Sequence, residues 1–376
     1  MVAAVSRRDF SPTRHLPYNH GMAHITLVLP FALPAPEFGP DLARALEAPA
    51  LAALLSRTSS HSLAPAGASA RALPHEVWLA RALGLETGGQ PGFAVAAMRG
   101  FGLEPCAGTW FIVNPSHIEI ARSHLLMADL RHLQMSEDDG RALFAAARTA
   151  CEEAGYSLEY GDSRTWFMRA DDWADMETAS PDTAVGMSLM DWMPAGPRAI
   201  AYRKLQNEVQ MAWYTDPANA AREARGLPPV NAFWLWSGSP ASPHPVAPAQ
   251  ARAQFGPTKA QSSLSLAAFE TPGWLGALAH RNLSTLTDFA TDIANNTLLV
   301  CGNVAAPAIA ADWSGWLQQM QRLEAELFAP LLAALMRGEV KDIRLVLSHR
   351  SAHAEFTTTA LAQRKFWRRP TLDRLI

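Results

Sequence analysis

The sequence predicts an α/β protein built on a largely buried sheet. Three observations predict it. Short apolar runs closed by Pro or Gly recur along the chain, as in HITLVLP at 24–30, WFIV at 110–113 and LLVC at 298–301. Runs of this length and continuity fit strands covered on both faces. Segments with helix start and stop signals lie between them. Strand follows helix in repeated order, which suits a βα architecture.

The elements follow in order. The 24–30 run is the first strand, and leucines at Leu42, Leu46, Leu51, Leu54 and Leu55 mark a helix over 41–56. A second helix spans 74–84, with Glu76 in its first turn and Gly84 as its stop. After the 110–113 strand, Ser136 caps a helix to 154, opened by Glu137, Asp138 and Asp139 and ended by Gly155. A strand is expected at 165–169 and loops over 171–197. A helix follows over 198–214. Asp216 caps another, with Pro217 at its first position and Gly226 at its end. Pro228 and Pro229 lead into a strand at 231–236. The tract 239–263 is rich in Pro, Ala and Ser and reads as a mobile loop. Beyond the 298–301 strand, Asp312 caps a long helix to 337, kinked at Pro330 and stopped by Gly338. A strand pair at 343–347 and 354–358 closes the chain. Residues 1–23, polar and broken by Pro12 and Pro17, read as a disordered extension, with Met1 and Met22 as alternative starts. The expected division is a main α/β domain over 24–105 and 198–376 and an inserted smaller lobe over 106–197.

Composition narrows the function. The chain has 376 residues, a formal charge of −3, 49 % hydrophobic and 18 % charged residues. This near-neutral balance gives no general electrostatic pull toward nucleic acid or anionic membrane. No stretch has the length and apolarity of a membrane span. Cys106, Cys151 and Cys301 are far apart and odd in number, which fits reduced thiols in the cytoplasm.

Candidate chemistry concentrates in a few stretches. His117, Glu119, His124, Asp129 and His132 fall close together, but a catalytic zinc needs converging ligands, and surface or rim histidines explain this pattern better. Asn219, Arg222 and Asn231 run through a capped helix, a proline exit and a strand carrying Trp234 and Trp236. The strand ends at Gly238, where a ligand could approach the backbone. Arg222 offers a planar fork for a phosphate or carboxylate. Glu208, one helix earlier, is a candidate base or a partner of Arg222; a solvated helix face is the commoner use of such a residue. Near the end, QRKFWRRP sets Arg364, Lys365, Arg368 and Arg369 around Phe366 and Trp367, read as a solvated tail whose aromatics pack on the core. Glycine-rich nucleotide loops and the Gly-x-Ser-x-Gly elbow are absent.

The spacing Asn219-x-x-Arg222-x-x-x-Gly226-x-x-Pro229-x-Asn231 resembles the archaeal-type cofactor-independent phosphoglycerate mutases. HITLVLPFA, FIVNPSHIEIARSHLLM, QNEVQM and NAFWLWSGS resemble bacterial RpfE-type regulatory proteins, over nearly the whole chain. The resemblance implies an alkaline-phosphatase-like layered sheet flanked by helices, with an inserted lobe. It also implies two divalent metals such as manganese, an Asp-Gly after the first strand and a nucleophilic Ser. Here the first strand runs into Pro30-Phe31, Ser69 lacks evident ligand partners, and Ser348-His349 stands where an Asp-His pair is expected. Two metals need converging carboxylates. The sequence therefore points to a catalytically degenerate, regulatory protein without a cofactor. It would bind a small phosphorylated or carboxylated metabolite through Asn219, Arg222, Asn231, Glu208 and Gly238. One alternative is an active phosphoglycerate mutase or phosphatase with a rearranged metal set, His117, Glu119 and His349. Another is an interaction scaffold with a protein partner.

Overall fold

The computed structural model describes residues 23–67, 70–121, 124–242, 264–291 and 296–376. Of the expected extension at 1–23, residues 1–22 lie outside the described residues, as does the body of the expected loop, 243–263, while Ala23 opens the first strand. The architecture is α/β: a central sheet flanked by helices, with a second, smaller sheet.

The central sheet has seven strands, in the order Arg281–Leu283, Ser265–Phe269, Thr297–Cys301, Ala23–Leu29, Val340–Ser348, Ala352–Thr359, Ser60–Pro65. The first five run parallel and the last two are antiparallel additions. Side chains alternate across each strand. Ile25, Leu27, Leu29, Leu299, Cys301, Ile343, Leu345 and Leu347 enter one core, while Val28, Leu298, Val300 and Val346 enter another on the opposite face. Burial on both faces explains why these strands read as continuous apolar runs.

The smaller sheet is antiparallel, in the order Ala232–Ala241, Gly108–Ser116, Thr165–Arg169, Ser157–Asp162. Trp110, Ile112, Trp234 and Trp236 face the central sheet, and Phe111, Val113, Phe233 and Leu235 face helices Glu137–Glu153 and Ala199–Tyr214. The strand Ala232–Ala241, placed by the sequence with the main domain, therefore belongs to the smaller sheet. It also runs three residues into the stretch expected to be loop, because Ser239, Pro240 and Ala241 pair with Trp110, Thr109 and Gly108.

Two helices depart from expectation through proline. The 41–56 segment forms Gly39–Ala45 and Pro49–Ser56, because Pro49 has no N–H to continue the first and suits the start of the second. The long C-terminal helix runs Trp313–Leu323, a π-helical turn Glu324–Phe328, then Ala329–Arg337. Pro330 removes a donor there, and the wider turn absorbs the gap. The Glu324 carboxylate accepts from the Ala50 and Leu51 N–H groups at 2.7 and 2.9 Å, satisfying donors at the start of Pro49–Ser56. Among the described residues no helix is long and apolar enough to cross a membrane.

Candidate functional site

In an open α/β sheet, ligands bind outside the carboxyl ends of the parallel strands. Here those ends lie at Leu29, Phe269, Cys301 and Ser348. Two residues just beyond them adopt left-handed backbone without being glycine: Phe31 at φ 60° and Glu270 at φ 49°. Such conformations cost about 1–3 kcal/mol each and persist only where the surroundings hold them. Phe31 is held by its N–H donating to Ser348 Oγ at 3.4 Å and its carbonyl accepting from Trp316 Nε1 at 3.0 Å. The Glu270 carboxylate pairs with Arg322 at 2.9 Å. Its carbonyl lies 2.3 Å from where a Cβ on residue 302 would stand, so Gly302 is required for the two strand ends to meet.

A cavity of about 170 Å³ opens at these strand ends, between the two sheets. Val28, Val300, Leu79, Trp236, Trp274 and Leu275 make its apolar walls. Its ionisable lining comes from His75 and Glu76, Arg131 and Asp182, Arg164 and Glu270, with Asn114 and Thr165 among its other polar residues. That mixture suits a small ligand with an apolar body and a few polar groups. A wider depression of about 560 Å³, lined by Gly100, Phe101, Glu270 and Asn282 among others, has Glu270 as its ionisable group, already paired with Arg322.

His75 and Glu76 occupy the first turn of Pro74–Leu83 and are buried. His75 Nδ1 meets Ser348 Oγ at 3.0 Å. Burial pushes the His75 pKa down to about 4, so the ring is neutral at pH 7. The Glu76 carboxylate accepts from the Leu73 N–H at 2.9 Å, the reciprocal half of a helix cap. Burial pushes its pKa up to about 7, against a bond from Ser180 and that from Leu73. Arg131 forks to Asp129 at 2.9 Å and to Asp182 at 2.6 Å. Burial works against its charge, and Asp182 and Asp129 outweigh burial and raise its pKa. Arg350 donates to the carbonyls of Asp182, Thr183 and Val185 and so fastens this loop to the central sheet.

Arg164 stands apart. It sits in the turn between Ser157–Asp162 and Thr165–Arg169, with its N–H on Asp162 Oδ1 at 2.8 Å and its carbonyl accepting from Asn114 Nδ2 at 2.6 Å. Asn114 Oδ1 in turn accepts from Trp236 Nε1 at 2.6 Å. The backbone of Arg164 is fixed, and the residue lines the cavity and is exposed, its guanidinium without a bond to any described residue.

The residues singled out from sequence lie elsewhere. Arg222 is completely buried. Its guanidinium donates to Asp139 Oδ2 at 3.0 Å, to Pro228 O at 3.1 and 3.2 Å, to Gln134 O at 3.4 Å and to Leu133 O. Asp139 also binds Arg225 at 2.7 Å. Burial pushes the Asp139 pKa up, and bonds from Arg225, Ser136 and Arg222 bring it below the ordinary range. Asn219 bridges Trp213 O, Val230 O and Val230 N at 2.8–2.9 Å. Asn231 bridges the N–H and carbonyl of Ile118 at 2.7 and 2.8 Å. Glu208 faces Lys204 at 3.8 Å on a half-exposed helix face. Gly238 packs where a Cβ would come within 2.5 Å of the Phe111 ring. None of these five lines the cavity. Of the two tryptophans in the same stretch, Trp236 does line it, and Trp234 is buried with Nε1 on Ala179 O at 2.8 Å.

Among the described residues no three His, Cys, Asp or Glu side chains form a group able to hold a metal ion, so His117, Glu119 and His349 do not assemble as one. His117 Nδ1 instead meets Pro229 O at 2.7 Å, and His349 Nδ1 accepts from the Ser351 N–H at 3.1 Å.

The site thus defines an α/β protein with a strand-end cleft and an isolated arginine. No family model matches the chain, and no curated protein matches its sequence. Two solved structures are similar in fold. The PH0037 protein from Pyrococcus horikoshii is 11 % identical, over 90 % of this chain and 87 % of that one, with a TM-score of 0.51. A cofactor-independent phosphoglycerate mutase from Thermoplasma acidophilum DSM 1728 is 16 % identical over 89 % of each chain, with a TM-score of 0.41, a distant structural resemblance.

Proposed function

We propose that this protein is a catalytically degenerate relative of the cofactor-independent phosphoglycerate mutases. In this reading it binds a small phosphorylated or carboxylated metabolite in the strand-end cleft and acts in regulation in the cytoplasm. The observation that carries the proposal is Arg164, an exposed residue on a fixed backbone that lines the cavity beside its apolar walls, with a guanidinium bonded to no described residue. A planar guanidinium in that position suits a phosphate or carboxylate. Trp236, Trp274 and Leu275 suit the carbon body of the ligand. The regulatory part of the reading rests on a proposed likeness of segments such as HITLVLPFA and NAFWLWSGS to RpfE-type regulatory proteins.

Neutral His75 does not repel a cationic group or attract an anionic one at pH 7. Glu76 changes charge near neutrality. An anionic ligand is expected to bind more weakly as pH rises through about 7, where Glu76 ionises.

The test joins two measurements on the purified protein. One is metal content with phosphoglycerate mutase and phosphatase assays in added manganese. The other is thermal shift with 3-phosphoglycerate and related phosphorylated and carboxylated acids. The expected result is no turnover, and a ligand-induced rise of roughly 3–5 °C at about a hundredfold excess over Kd. Arg164→Ala should remove that rise. Stoichiometric metal with turnover would favour an active enzyme with rearranged ligands, and a thermal shift that survives Arg164→Ala would remove Arg164 from the site.

A further inference from the structure

The C-terminal basic-aromatic segment is not packed as its sequence suggests. Its aromatics were expected on the core. Instead Phe366 is 83 % exposed, Trp367 67 % and Leu361 75 %. The two rings pack edge-to-face on each other, with centroids 5.2 Å apart at 84°. The turn carrying them is fastened to the body of the protein. Lys365 Nζ donates to Thr58 O at 2.7 Å, Arg368 to Ser56 O at 3.4 Å, and Arg57 Nε to Arg368 O at 3.2 Å. Within the turn, the Arg368 N–H donates to Lys365 O at 2.9 Å. An apolar tip on a fixed turn is therefore held out in solvent.

Charge surrounds that tip. Arg364, Lys365, Arg368 and Arg369 flank the rings, and from 356 to 372 the sequence has no Asp or Glu. The bonds that fasten Lys365 and Arg368 end on carbonyls, which leave the net positive charge in place. The two long stretches outside the described residues do not complement it by charge: 1–22 carries Arg7, Arg8 and Arg14 against Asp9, and 243–263 carries Arg252 and Lys259 with no acid.

We propose that the 361–369 turn is a peripheral docking surface for anionic lipid headgroups. The exposed Phe366–Trp367 wedge enters the interfacial layer, and the flanking cations meet the headgroup charge. Aromatic side chains favour the boundary between hydrocarbon and water, and each cation near an anionic leaflet adds to the attraction. Single-stranded nucleic acid fits less well: its sites set successive stacking rings along a basic groove that tracks the backbone, and here two rings stand together on a protruding tip.

The experiment is vesicle flotation of the full chain, comparing phosphatidylcholine vesicles with vesicles containing about 30 % phosphatidylserine at ionic strengths that span the screening range. The expected result is association with the anionic vesicles alone, lost as salt rises. Arg364→Gln with Arg369→Gln should weaken it about tenfold or more. Phe366→Ser with Trp367→Ser should weaken it comparably. Both double variants alter exposed side chains and should melt like the parent, which separates lost docking from lost folding. The proposal is overturned by absent or equal association with the two vesicle types. It is overturned equally by anionic binding that neither variant changes, or by these residues binding a single-stranded oligonucleotide while vesicles are ignored.

Discussion

Arg222 and Arg164 stand on the same lobe, yet one is sealed among protein acceptors and the other faces a cavity. Arg222 spreads its guanidinium over Asp139 and the carbonyls of Leu133, Gln134 and Pro228. It thereby ties helix Pro217–Ala224 and the proline exit to the loop before helix Glu137–Glu153. Arg164 spends its backbone on Asp162 and Asn114, lines the cavity and leaves its guanidinium without a bond to any described residue. The same residue type thus serves architecture in one place and recognition in the other. What separates them is whether protein groups already fill the donor fork. A planar five-donor group suits a cluster of carbonyls as well as it suits a phosphate.

The largest expected effect breaks the architectural half. Arg222→Ala removes the buried partner of Asp139 and strands carbonyls that no longer have donors. Breaking a buried pair from one side costs about 3–5 kcal/mol. Urea unfolding should show that loss, in both the presence and absence of ligand. A melting curve unchanged by Arg222→Ala would mean that the network around Asp139 is not holding the lobe together.

The next effect concerns the two buried ionisable groups at the cavity. The His75 pKa is lowered to about 4, so its contribution to stability is present above about pH 6.5 and lost as pH falls toward 4. The Glu76 pKa is raised to about 7, so its contribution is present below about pH 4.5 and lost as pH rises toward 7. The two trends oppose each other across mildly acidic pH. Replacing one group exposes the other. Relative to the parent, Glu76→Gln, which keeps a capping side chain, should lose more stability on acidification from pH 6.5 to 4. His75→Gln should lose more as pH rises from 4.5 to 7. Shifts of this size correspond to about 3 kcal/mol each, to order of magnitude. Chemical denaturation at a series of pH values reads the slopes directly, and matching slopes in the two variants would contradict the opposed titrations.

The contrast also explains what could be read from the sequence. Strands buried on both faces were legible because continuous apolar runs such as HITLVLP have few other uses, and Ser136, Asp216 and Gly338 mark helix ends by local chemistry alone. The strand Ser265–Phe269 was missed. Its SLAAF sequence is alanine-rich and follows a Pro-, Ala- and Ser-rich tract, so its place in the sheet comes from pairing with Thr297–Cys301 rather than from local preference. The exposure of Phe366 and Trp367 went unread because their composition fits a packed tail and a protruding turn equally well. The cavity was illegible for a related reason. His75, Arg131, Arg164, Asp182 and Trp236 come from separate segments and meet only when the two sheets face each other. One signal was available: residues at or just beyond the ends of parallel strands, here Phe31, Gly302 and Ser348, mark the ligand-facing edge of such a fold. Spacing drew attention instead to 219–231, where Asn219, Arg222 and Asn231 bond to the backbone of their own lobe.

The smallest expected effect on stability is the sharpest on function. Arg164→Ala removes a side chain that bonds to no described residue, so its stability should stay within about 0.5 kcal/mol of the parent. Its backbone bonds to Asp162 and Asn114 do not depend on the side chain. If the cavity takes an anion, the same substitution should abolish the ligand-induced thermal shift, while Arg164→Lys retains part of it through charge without the planar fork. Arg222→Ala, although much less stable, should retain a ligand-induced rise wherever it remains folded, since Arg222 does not reach the cavity. Calorimetric titration of the three variants with one ligand separates these outcomes. Binding lost in Arg222→Ala and kept in Arg164→Ala would reverse the two roles and return recognition to the 219–231 motif.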